Sequence, residues 1–229
     1  MKIVALNYVN VQMKSIFYLG LYGCALLTCL FCFNRFKQLR YKLFLPFLSF
    51  IVLYQIGEMQ KLFGIHKSNL WSVNIEVTIE FIFYSFFIIS SSREPKEKRG
   101  FKIAAWAIFV FTLIDVFFIQ GVERLCSIAI VMQYALLIIM VCRFFYGQMK
   151  VFDGETSLLK QPDFWVNTGL LFFSLSEFLF FAAFNLAYVV PGIFSTLFDI
   201  ISAVANIILY SCLIVSFIWS RQQRKTVSY

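Results

Sequence analysis

Long apolar runs separated by short basic or polar connectors set the pattern of this chain. Seven runs are long enough to cross about 30 Å of hydrocarbon as helix. They are Ser15 to Asn34, Leu43 to Phe63, Ser68 to Ser90, Phe101 to Ile119, Val122 to Tyr146, Phe164 to Tyr188 and Ile193 to Ser220. The runs are too long and too uniformly apolar for barrel strands, and backbone amides in hydrocarbon must be satisfied within their own segment. The pattern predicts an all-α polytopic membrane protein, one seven-transmembrane-helix domain over residues 1–229.

The connectors alternate in charge. With the N-terminus outside and the C-terminus cytoplasmic, fifteen of the 20 lysines and arginines fall on the cytoplasmic side. They cluster at Arg35 to Lys42, Arg93 to Lys102, Arg143 to Lys160, and Arg221 to Lys225. Lys2, Lys14, Lys61, Lys67 and Arg124 remain outside. Such a bias over short loops is the positive-inside signature, and losing one span would scramble it. Leu21-Tyr22-Gly23-Cys24 resembles a lipoprotein cleavage box, but Tyr22 fits it poorly and the apolar run continues to Phe33. The first run therefore reads as an uncleaved anchor.

Composition agrees: 61% of residues are hydrophobic, 14% are charged and the mean hydropathy is +0.80, which excludes a soluble domain and a disordered chain. The net charge of +8 needs no nucleic-acid partner, because loop orientation accounts for it. The six cysteines lie within or beside apolar runs, where cysteine packs as a small hydrophobe. Cys29 and Cys32 have redox spacing, yet they share an apolar helix without a nearby histidine and read as packing residues.

Ionisable side chains inside the spans are costly and mark candidate sites. Glu58, Glu76, Glu80, Asp115, Glu177 and Asp199 are the six cases. In the third span Ser72, Glu76, Glu80 and Tyr84 repeat every four residues and share one helix face. Ser195, Asp199, Ser202, Asn206 and Tyr210 make a second stripe in the seventh span, and Asn167, Ser174, Glu177 and Asn185 a third in the sixth. At 1.5 Å per residue, Glu76 lies roughly 12 Å, Glu80 roughly 18 Å and Asp199 roughly 9 Å below the outer ends of their spans. The acids thus favour the outer half and midplane. The pattern predicts a polar vestibule open to the extracytoplasmic side and closed below by Phe, Leu and Ile, with Glu58, Glu76, Glu80, Tyr84, Asp115, Glu177, Asp199, Ser202 and Asn206 as ligand-binding candidates. The structural alternative is that these carboxyls pin helices together, protonated or paired with Lys61, His66, Lys67 or Arg124.

Several chemistries drop out. One histidine, His66, cannot build a multi-histidine zinc site, and no metal or cofactor is expected. A seventh span without lysine excludes a retinal Schiff base, and no phosphate-binding glycine loop, kinase signature or G-x-S-x-G elbow occurs.

The segment Glu76 to Tyr84, the run Pro162-Asp163-Phe164-Trp165-Val166-Asn167-Thr168-Gly169-Leu170-Leu171, and the Asn206-x-x-Leu209-Tyr210 end of the last span carry a likeness. Together they resemble a family of seven-span membrane proteins common in Bacteroidota. The likeness runs over almost the whole chain, and Glu80 is the glutamate that matches the family's. Where the family has a Tyr-x-Ser-Gly-like stretch, this chain reads Phe173-Ser174-Leu175-Ser176-Glu177, so Glu177 departs from the pattern. The resemblance implies a multi-pass protein of the bacterial inner membrane and brings no activity with it.

Three functions fit these features. A sensory module would bind a small ligand in the vestibule and signal to a cytoplasmic partner such as a histidine kinase. A lipid-modifying hydrolase of the outer leaflet would use Glu80 and Asp199, with Glu76, as general acid and base. A proton- or cation-coupled transporter would need polar residues on both sides of the midplane. Carboxylates about 5–10 Å apart beside a lateral groove would favour hydrolysis, and a closed central pocket would favour sensing.

Overall fold

A computed structural model describes residues 2–64, 69–92, 94–122, 124–150, 158–183 and 191–222. Within them, the side chains of 2–14, 191–196, 198, 199 and 222 lie outside the description. Eight helices follow in order: α1 (Lys2–Cys32), α2 (Leu39–Lys42), α3 (Phe44–Met59), α4 (Leu70–Ser91), α5 (Pro95–Ile114), α6 (Ser127–Lys150), α7 (Pro162–Ala183) and α8 (Pro191–Gln222). No strand occurs among the described residues. The short α2 runs directly into α3, and a π-helical segment, Asp115–Ile119, extends α5. The result is seven helical segments long and apolar enough to cross a membrane.

Helix ends differ from the sequence expectation where local chemistry decides. The second segment begins at Leu39 rather than Leu43, because Tyr41 is buried and pulls the basic linker into helix. It ends at Met59, not Phe63. Lys61 adopts φ 57°, Lys61 N–H donates to Glu58 O at 2.9 Å and Leu62 N–H to Gly57 O at 2.9 Å. These paired bonds form a Schellman stop. Helix α5 starts at Pro95, where a proline in the first turn loses no hydrogen bond, so Lys96 to Arg99 are helical rather than loop.

Helices α1, α3, α4, α6, α7 and α8 form a ring: α7 packs closely on both α6 and α8, α8 on α1, α1 on α3, and α4 on α6. The ring is closed more loosely between α3 and α4. Helix α5 docks outside it against α4 and α6. Burial follows this placement: 56% of the α4 span window is buried against 11% for that of α5. Large apolar side chains cover the outside, such as Trp106, Phe117 and Phe118 on the α5 segment, a surface matched to hydrocarbon rather than water. Since lipid is as apolar as leucine, close packing and interhelical hydrogen bonds must hold the ring together.

The ends of α4 and α6 meet the starts of α2, α5 and α7 at what is here called the basic end. Arg40 donates to Asp163 Oδ2 at 2.7 Å and to Ser91 Oγ at 2.5 Å, and Tyr41 donates its hydroxyl proton to Asp163 Oδ1 at 2.6 Å. Ser216 of α8 donates to Pro162 O at 2.9 Å, and Arg143 pairs with Glu97. The Asp163 carboxylate at the first turn of α7 thereby holds α2 and, through Arg40, the end of α4.

Candidate functional site

From α4, Glu76 and Glu80 project into the ring one turn apart, as their spacing requires. The charges that Glu76 senses are those of Glu80, Glu58 and Glu177, and Glu80 senses Glu177. Carboxyls from α3, α4 and α7 therefore share one space. Protein surrounds Glu76 and Glu80, yet both keep accessible surface, so they line a crevice inside the ring instead of packing solidly. Neither they nor Glu177 makes an ion pair among the described residues; the pairs Arg40–Asp163 and Arg143–Glu97 lie at the basic end.

Polar groups from every ring helix complete the walls. Tyr54 of α3 meets Glu76 and lies 3.2 Å from Ser72 Oγ. Tyr22 of α1 donates to Asn206 Oδ1 of α8 at 3.4 Å, and its ring lies 4.5 Å from that of Tyr210. Ser202 of α8 donates to Glu177 Oε1 at 3.1 Å. Tyr134 of α6 is within electrostatic reach of Glu177, Glu80 and Glu76. Tyr84 is 1% exposed and shares this space with Tyr22, Tyr134 and Tyr210, but its hydroxyl has no hydrogen-bond partner among the described residues. At the mouth, Asn69 donates to Glu58 Oε1 at 3.1 Å.

Beneath Tyr84 the chamber ends in aromatic rings. Phe47 lies 5.4 Å from Tyr84 and stacks on Phe83 at 3.9 Å and 4°. Phe44 touches Phe83, Phe87 and Phe217 at 4.9, 5.3 and 5.2 Å, and Phe87 meets Tyr41 at 5.6 Å. Since Tyr41 bonds Asp163, ring contacts run without a break from the chamber to the basic end. Phe44, Phe87 and Phe217 are fully buried and close this axis with apolar packing, while Ser174 and Asn167 of α7, between the chamber and the basic end, are fully buried as well.

Seven of the nine residues singled out in the sequence come to this chamber or its mouth: Glu58, Glu76, Glu80, Tyr84, Glu177, Ser202 and Asn206. Asp115 does not. It is fully buried at the junction of the α5 segment with α6, where its Oδ2 accepts from Ala129 N at 3.3 Å. There it caps the first turn of α6, the place where a helix favours negative charge. Asp199 lies in α8 with its side chain outside the described residues, as are Ser195, Asn185, His66 and Lys67.

Pattern reading missed Tyr22 and Tyr134 as wall residues, because a tyrosine in an apolar span looks the same whether it faces lipid or cavity. It also missed Asn74, which donates to Arg124 O at 2.8 Å, accepts from Cys126 N at 3.0 Å, and so ties α4 to the turn before α6.

A small pocket at the basic end is lined by Glu94, Glu97, Arg143 and Lys150. Grooves of about 350 Å³ between α4 and α5 and about 440 Å³ between α3 and α4 open sideways and are lined mainly by Phe, Ile and Leu, with no carboxylate. No trio of His, Cys, Asp or Glu among the described residues is placed to hold a metal ion. No family model, curated protein or solved structure matches the chain.

Proposed function

We propose that this chain is a multi-pass sensory module of the bacterial inner membrane. A small ligand enters the acid- and tyrosine-lined chamber from the extracytoplasmic side, and a shift of the ring helices reaches the basic end. There a cytoplasmic partner such as a histidine kinase reads it. The supporting observation is the pairing of a polar chamber with a close-packed aromatic floor. Ligand can be held above that floor, and motion can pass through it without opening a path.

The floor counts against a transporter, because the polar groups on its basic side, such as Ser174 and Asn167, are fully buried and carry no charge to serve as footholds. The lateral grooves count against a lipid hydrolase, because neither presents a carboxylate to an entering lipid. The test is thiol labelling of Glu76→Cys in a background without native cysteines. A membrane-impermeant reagent should label it from outside intact cells and leave Phe217→Cys unlabelled. Labelling of Glu76→Cys only from the cytoplasmic face would defeat the outward-facing chamber. Flux of a small solute through the purified chain in liposomes would defeat the sensory reading.

A further inference from the structure

The chamber's chemistry narrows the ligand. Three carboxyls, Glu76, Glu80 and Glu177, converge from two helices with no cation paired to them among the described residues. An anion would meet repulsion there, whereas a cation supplies the countercharge that lets buried carboxyls ionise in a low-dielectric space. No trio of His, Cys, Asp or Glu among the described residues is placed to hold a bare metal ion. An organic cation needs no such tight ligand set and can be held by charge and aromatic faces together.

The walls point the same way. Tyr22, Tyr84, Tyr134 and Tyr210 come from four different helices and surround the acids. Aromatic faces attract ammonium groups through their quadrupole, more strongly where water is excluded. The buried, unpartnered Tyr84 hydroxyl beside Glu80 supplies an acceptor awaiting a donor.

We propose that the chamber binds a small organic ammonium ion, its charge held by Glu76, Glu80 and Glu177 and its flanks by the surrounding tyrosine rings. This rests on the chamber being a ligand site, and the experiment separates the two ideas. Purified full-length protein in lipid nanodiscs is titrated with choline and with 3,3-dimethyl-1-butanol, its uncharged isostere, following the thermal unfolding midpoint and equilibrium binding. Choline should bind and stabilise, and the isostere should bind at least tenfold more weakly. Glu80→Gln should weaken choline binding roughly 10- to 100-fold, the range for losing one charge-assisted contact. Asp115→Asn, outside the chamber, should bind choline as the unaltered protein does.

Equal binding of choline and isostere would overturn the ammonium assignment while leaving a ligand chamber in place. So would undiminished choline binding by folded Glu80→Gln. Failure of choline to bind, with Glu76→Cys still labelled from outside, would also overturn the assignment alone. Failure of both would remove the chamber reading too. The comparison of the two ligands needs no variant, so it decides the question even if Glu80→Gln does not fold.

Discussion

At Gly169 the backbone of α7 comes directly against α8. A methyl group there would stand 2.8 Å from Cys212 Cβ and 3.1 Å from Leu209 Cα, and backbone cannot swing away. Gly169→Ala should therefore force α7 and α8 apart at a cost of about 1–3 kcal/mol, read as a lower unfolding midpoint in a denaturing-detergent titration. Nothing in the run of residues around Gly169 distinguishes it from Gly147 or Gly20, where the same methyl would meet open space. Cys126 offers a second residue-scale test. Burial, with a smaller contribution from Asp115, pushes its thiol up to about 11. The folded state holds the proton that the unfolded chain releases near pH 9, so the fold keeps this contribution below pH 9 and loses it as pH rises toward 11. A variant with Cys126 as its sole cysteine should resist maleimide at pH 8 and become reactive toward pH 11, followed by mass shift.

Among the elements, α5 is tied to the ring by a few specific bonds rather than by wide burial. Gln133 of α6 donates to Thr112 Oγ1 at 2.9 Å, and Asp115 caps α6 where the backbone widens into the π turn closed by Gln120 N–H donating to Asp115 O at 2.8 Å. A π bulge of this kind commonly re-aims a side chain, and here it delivers a carboxylate to a helix start. Sequence spacing alone grouped Asp115 with the other intramembrane acids, since depth along a helix says nothing about which neighbour the helix has. The clasp at the basic end is of another kind. Removing Asp163 leaves Arg40 and Tyr41 without their acceptor and unfastens α7 from α2. Asp163→Ala should cost about 1.5–3 kcal/mol, the range for hydrogen bonds to a charged group. It should also speed proteolysis of the adjoining connectors, measured by limited trypsin digestion.

For the molecule as a whole, the decisive feature is the division between a half of the ring lined by carboxyls and tyrosines and a half closed by packed phenylalanines. Phe44 of α3 is fully buried where α3 meets α4 and α8; its ring meets Phe83, Phe87 and Phe217 at once. Phe44→Ala should lower stability by about 3–5 kcal/mol, as for other large-to-small changes in packed cores. Because the floor is what seals the axis, liposomes bearing the unaltered protein should show no cation leak, and liposomes bearing folded Phe44→Ala should show one. Equal leak from both would mean that the aromatic floor is not the seal.

Helix class, the number of segments long and apolar enough to span and the polar stripe of α4 were set by sequence alone. Twenty-residue apolar runs have no other way to satisfy their amides in hydrocarbon, and a four-residue repeat fixes a shared face whatever surrounds it. The placement of Glu76 and Glu80 on one side of α4 is of this kind. Which helices border the chamber was decided only by packing: α5 stands outside the ring with Asp115, and Tyr22 and Tyr134 stand inside it. Neighbour choice depends on shape at points such as Gly169 and on bonds such as those of Asn74, which link positions about fifty residues apart and leave no local pattern to read.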